Sequence, residues 1–151
     1  MSKEISPLYL ERNSAFELAR ELKLLLAINN ISVTYDPGML NSQLTLLTEG
    51  KSRRVLTVDG DGRAREYLLT YTINFTVNTD RFTKKESKEI KESISLTRSL
   101  LFDTEAVLAV TNESEILYKD MRRNAARLIL LKLQAFVRAD SASNDQPAAK
   151  Q

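Results

Sequence analysis

The densest chemistry-bearing stretch of this sequence is a set of cations, Lys51, Arg53, Arg54, Arg63 and Arg65, on both sides of Asp59-Gly60-Asp61-Gly62. Arginine offers a planar fork of donors that matches phosphate and carboxylate oxygens. Two strands facing each other across a tight turn would hold several such forks as a rigid array. The competing reading is a solvated edge strand guarded by charge, and the residues alone leave the two open. Asp59 and Asp61 raise the question of calcium. No Glu stands at the twelfth loop position, and Arg63 and Arg65 follow at once, so a plain turn is the better account.

Other chemistry is limited by what is missing. The 151 residues include no Cys and no His. That removes thiol nucleophiles, thiolate metal sites, and the commonest general base and metal ligand. No motif prepares a Ser nucleophile, so an enzyme is not expected, nor a metal or cofactor. A hydrolase using a carboxylate pair would need a cleft with a strongly shifted Asp or Glu, and no motif marks one. The 22 Lys and Arg against 20 Asp and Glu give a net charge of +2, too little to imply nucleic acid. There is no apolar run of membrane-spanning length and no signal peptide at Met1. The expectation is a cytosolic chain, or one that begins after its export signal.

The elements that position these residues read as strand, helix, three strands, helix. Leu8-Tyr9-Leu10 is a first strand. Ser14 and Glu17 form a capping box ahead of Ala15, Leu18, Ala19, Leu22, Leu25 and Leu26, which recur at helical spacing until Asn29-Asn30. Ile31, Val33 and Tyr35 alternate with Ser32 and Thr34, giving a strand start that Asp36-Pro37-Gly38 turns. Residues 43–58 make a long strand, and Asp59 to Gly62 a hairpin turn. Tyr67, Leu69, Tyr71, Ile73, Phe75 and Val77 occupy alternate positions, so the next strand has one dry face. Residues 80–91 read as a mobile loop, and Ile94 to Leu101 as the last strand. Asn112 caps a second helix whose stripe is Leu117, Met121, Ala125, Leu128, Ile129 and Phe136. The fold class is α+β: a small, mostly antiparallel four-stranded sheet with two helices on one face. Residues 1–138 form one domain, and 139–151 a disordered tail.

Two surfaces have rival readings. Tyr67, Tyr71 and Phe75 could stack bases, as in sheet-type RNA-binding modules, or lie under the helices. The second is favoured, because Thr70, Thr72, Asn74 and Thr76 make the natural wet face. In Leu128-Ile129-Leu130-Leu131-Lys132-Leu133 the helix is apolar nearly all round. Leu130 and Leu131, with Ile116 near their side, therefore point to contact with a partner protein.

Two stretches also carry a resemblance. One is Arg53-Arg54-Val55-Leu56-Thr57-Val58-Asp59 through Gly62-Arg63-Ala64-Arg65-Glu66-Tyr67, on to Tyr71 and Phe75. The other is Phe102-Asp103, Ala106-Val107-Leu108-Ala109, Asn112-Glu113 and Asp120-Met121-Arg122-Arg123, with Ala125-Ala126 and Ile129-Leu130. In order and spacing, from about Leu8 to Leu133, the chain resembles the LPS-assembly lipoprotein family LptE of Gram-negative outer membranes. The resemblance implies an exported protein, lipid-anchored through an N-terminal Cys at the periplasmic side of the outer membrane. It implies a plug and assembly chaperone for the LptD β-barrel that binds lipopolysaccharide for delivery to the outer leaflet. The lipidated Cys is absent, so a soluble form beginning inside the mature protein is expected. Gly60 and Val110 replace residues that are basic in relatives, near where lipopolysaccharide contacts lie. Arg53, Arg54, Arg63 and Arg65 are expected to supply that charge instead. Ile116, Leu130 and Leu131 are expected to touch the barrel.

Overall fold

Alternation of apolar residues builds most of the architecture. A computed structural model of the protein describes residues 6, 8–12, 15–35, 42–78, 89–101 and 107–145. The elements are β1 (Leu8–Arg12), α1 (Phe16–Ile28), β2 (Val33–Thr34), β3 (Ser42–Val58), β4 (Ala64–Asn78), β5 (Glu89–Leu101) and α2 (Val107–Asp145). They form one sheet of order β2-β1-β3-β4-β5, with both helices packed on it. β1 runs parallel to β2 and β3; β3, β4 and β5 are antiparallel neighbours.

The sheet has five strands where four were expected. The extra strand is β2, only two residues long, paired to β1 through Leu8–Val33 and Tyr9–Thr34. The β1–α1–β2 crossover is what places it parallel to β1. The turn expected at Asp36 to Gly38, Ser14 and the loop at 80–88 lie outside the described residues.

The dry face is the one the β4 alternation implies. Leu69, Tyr71, Ile73, Phe75 and Val77 are all fully buried, beside Leu8 and Leu10 of β1 and Leu44 and Leu46 of β3. Burying each such side chain contributes roughly 1.5–3 kcal/mol. The opposite face carries the intervening Thr70, Thr72, Asn74 and Thr76. Their register partners are Thr45, Thr48, Gly50 and Ser52 of β3 and Lys91, Ser93, Ser95 and Thr97 of β5.

α1 buries Leu18, Ala19, Leu22 and Leu26. Its start is not the expected capping box. The N-cap is Ala15 at φ 61°, with no side-chain cap bond, and Glu17 instead pairs with Arg122 of α2. Its end is as expected. Asn30 takes φ 60°, the Asn30 amide donates to Ala27 and the Ile31 amide to Leu26, and the buried Ile31 and Leu26 complete a Schellman close.

α2 is longer than expected at both ends. It begins at Val107, so Asn112 lies inside it rather than capping it, and it runs to Asp145 rather than giving way at Ala139. No Gly or Pro lies between Val107 and Asp145, so a helix anchored by packing propagates outward cheaply in both directions. β5 likewise starts earlier, at Glu89.

Candidate functional site: a projecting basic hairpin and the outer helix face

β3 and β4 outrun the helices. β3 is buried or half-buried up to Leu47, and every residue from Gly50 to Val58 is exposed. The outer half of this hairpin is thus an arm beyond the core. The arm closes through Asp59. Its amide donates to the Arg63 carbonyl (2.8 Å), and its carboxylate accepts from the Asp61 and Arg63 amides (2.9 Å each). Gly62 supplies the required φ of 77°. The Asp59 carboxylate is committed to the turn, as a plain hairpin demands.

The arm brings Arg53, Arg54, Arg63 and Arg65 together, all exposed, but not on one face. Arg53 pairs in register with Leu69 on the helix side, and its guanidinium lies 4.8 Å from the Tyr67 ring centroid. That stacking fixes the fork without spending its in-plane donors. Arg54 pairs with Leu68 on the opposite face. Arg63 sits in the turn, and Arg65 at the register irregularity between Thr57–Glu66 and Val58–Ala64. Lys51 reaches over Tyr118 of α2, 5.5 Å from its ring. The arm meets α2 there, because the Tyr118 hydroxyl donates to the Ser52 carbonyl (2.9 Å). Burial, with Glu115 adding and Arg53 opposing, raises the Tyr118 phenol above its ordinary pKa.

Sequence reasoning missed the other half of the arm's chemistry. Val55, Leu56 and Val58 are 48%, 42% and 58% exposed, and Leu101, register partner of Glu66, is 72% exposed. Exposed aliphatic side chains therefore stand among and beside the arginines, on both faces of the arm. The sequence shows these residues only as parts of long strands, and the reach of the hairpin past the core leaves them in water.

Beneath the arm, the Tyr71 hydroxyl donates to the Glu49 carboxylate at 2.5 Å. Burial, then this bond, pushes the Tyr71 phenol far above its usual range, with Arg122 opposing. Arg122, 8% exposed at its side chain, pairs with Glu17 at 2.7 Å, and Arg123 with Glu21 at 3.7 Å. These contacts tie α1, α2 and the sheet into the base from which the arm projects. Between the helices, Glu17, Arg20, Glu21, Glu115, Ile116, Lys119 and Arg122 line a groove of about 370 Å³ with charges of both signs.

Tyr71 and Phe75 are fully buried beneath the helices and Tyr67 is half-buried under Arg53, so these three rings form no base-stacking platform and the RNA-binding reading that rested on them falls. The three residues expected on the outer helix face divide. Ile116 (66%) and Leu131 (54%) are exposed, whereas Leu130 (5%) is in the core. The buried set Tyr118, Met121, Arg122, Ala125, Ala126, Ile129, Leu130 and Leu133 follows three- and four-residue spacing, because α2 packs on the sheet and on α1 at once. Among the described residues, no helix is long and apolar enough to cross a membrane, and no three His, Cys, Asp or Glu gather as a metal site.

The fold, a small mixed sheet with two helices, is shared with solved structures of bacterial lipoproteins. The crystal structure of rare lipoprotein B from Shewanella oneidensis superposes with a TM-score of 0.75 at 30% identity, covering 87% of this chain and 96% of that one. The solution structure of lipoprotein B from Nitrosomonas europaea gives 0.72 at 25% identity, over 89% and 86%. A minor lipoprotein from Acinetobacter baumannii shares the fold, with a TM-score of 0.61 at 23% identity over 95% and 98%. No curated protein matches the chain. The family model for LptE, lipopolysaccharide-assembly, matches residues 5–133. The chain belongs to this family, and its role lies in lipopolysaccharide assembly.

Proposed function

We propose that this protein is a non-enzymatic, lipid-anchored component of the lipopolysaccharide translocon, at the periplasmic side of the outer membrane. In this reading it plugs the LptD β-barrel, assists its folding, and binds lipopolysaccharide through the β3–β4 arm. The observation that carries it is the mixed chemistry of the arm. Exposed Arg53, Arg54, Arg63 and Arg65 suit phosphates and acidic sugars. Val55, Leu56, Val58 and Leu101 beside them suit acyl chains. A ligand that is anionic at one end and greasy at the other matches both. Ile116 and Leu131 are the surface offered to the barrel wall.

The test is Arg63→Ala with Arg65→Ala. Both side chains are exposed and pack on nothing in the core, so the melting temperature stays nearly unchanged. Lipopolysaccharide affinity falls about tenfold, the loss of roughly 1.4 kcal/mol of charge-assisted contact. Equal binding by wild type and double variant at moderate salt rejects the proposal.

A further inference from the structure

β5 is an edge strand of unusual regularity. All thirteen of its residues, Glu89 to Leu101, pair with β4 without a register shift, whereas β3 on the other side of β4 shifts three times. Nothing among the described residues pairs with its outer side. Natural edges are normally guarded by bulges, prolines or charge. β5 has no Pro and no bulge, and its charges, Glu89, Lys91, Glu92 and Arg98, leave the centre from Ser93 to Thr97 uncharged.

We infer that this edge pairs antiparallel with the β5 edge of a second copy of the chain, about a two-fold axis at Ser95. The strand is complementary to its own reverse in that register. On the helix side, half-buried Leu96 comes opposite Ile94 and half-buried Ile90 opposite Leu100, so the new apolar contact is made by Ile90 and Leu96 because Ile94 and Leu100 are already buried within the chain, and Glu92 meets Arg98 of the second copy. On the other side, Ser93 meets Thr97 and Ser95 meets itself. Each pair recurs by symmetry, as an isologous interface requires, and cross-strand aliphatic and opposite-charge pairs each stabilise. A two-residue slide either way keeps the faces matched but sets both Glu92 and Arg98 against aliphatic side chains, so charge selects the register. A groove of about 360 Å³ beside the end of the edge, lined by Leu100, Leu101, Ile116 and Leu117, lies where the second copy's Ile90 would arrive. Glu92 holds Lys132 at 3.0 Å, and Arg98 donates to the Thr97 carbonyl at 3.0 Å. Both contacts are partly exposed and leave each charge able to serve a second partner. One strand pair is a small interface, so the dimer is weak and concentration-dependent. The inference stands on the β5 edge and does not depend on the lipopolysaccharide reading.

The chain contains no Cys, which makes single-cysteine variants clean probes. Residues directly opposite in antiparallel strands bring their Cα atoms about 4.5–5.5 Å apart, within disulfide reach. Under mild oxidation of the full chain, Ser95→Cys is expected to give a disulfide-linked dimer and Thr97→Cys none. Light scattering on the unmodified chain is expected to show mass rising from one copy towards two with concentration. Arg98→Glu should weaken association about tenfold by setting like charges opposite each other. Adding Glu92→Arg to it should restore association, with circular dichroism confirming the fold of each variant. Monomer at every concentration overturns the inference, including one whose β5 amides become protected only when a barrel strand is added. A Thr97→Cys disulfide without a Ser95→Cys one, or no rescue by the double reversal, overturns it too.

Discussion

Tyr71→Phe tests the base of the arm with a single deleted oxygen. The ring is fully buried and stays so in the variant, so packing is conserved. What is lost is the hydrogen bond to the Glu49 carboxylate. A bond to a charged acceptor contributes about 1.5–3 kcal/mol, and Glu49 is half-buried, so it regains some water. A penalty of about 2 kcal/mol follows, which in a domain of this size lowers the melting temperature by about 4–8 °C. Chemical denaturation should show a lower midpoint at unchanged slope. The pH dependence is a second signature. The folded Tyr71 phenol is held above its unfolded value, so its contribution is complete below about pH 10 and is lost as the pH rises beyond that. Wild type should therefore lose up to about 1.4 kcal/mol per pH unit from this group above pH 10. The variant has no phenol to titrate there, so the penalty should narrow. A penalty constant from pH 8 to pH 11 (roughly one unit either side of the phenol's reference value), or no penalty at all, would refute the reasoning.

Neighbouring leucines on α2 should behave differently. Leu130→Ala opens the core and should cost about 2–4 kcal/mol, whereas Leu131→Ala should cost under about 1 kcal/mol in thermal or urea unfolding. Ile116→Asp with Leu131→Asp should leave the isolated domain folded and reduce co-purification with the proposed LptD partner; normal recovery of that complex would remove this surface from the proposal.

Much of the fold is legible in the sequence, for reasons that sit in particular residues. The β4 alternation from Tyr67 to Val77 sorts one face from the other with no ambiguity of period, and Asn29-Asn30 ends α1 through the left-handed conformation that Asn tolerates. What was illegible depends on tertiary contacts. Ala15 holds a left-handed N-cap that local propensity disfavours, while Glu17 abandons a capping role for an ion pair with Arg122. Leu130 looked like a surface residue because a helix on a sheet buries one stripe, but α2 is also packed against α1, which widens the arc. The arginines of the candidate site were visible as a cluster. Their companions Val55, Leu56, Val58 and Leu101 were not, because exposure there is set by how far a hairpin projects, a distance no local pattern encodes.

In the proposed function the arm holds the lipid while the outer face of α2 holds the barrel. Site-specific photocrosslinking in cells tests it most directly, with the reactive side chain placed in turn at Arg63 and at Leu131. Lipopolysaccharide adducts are expected from position 63 and barrel-protein adducts from position 131. Lipopolysaccharide adducts from position 131 with none from position 63 would contradict it.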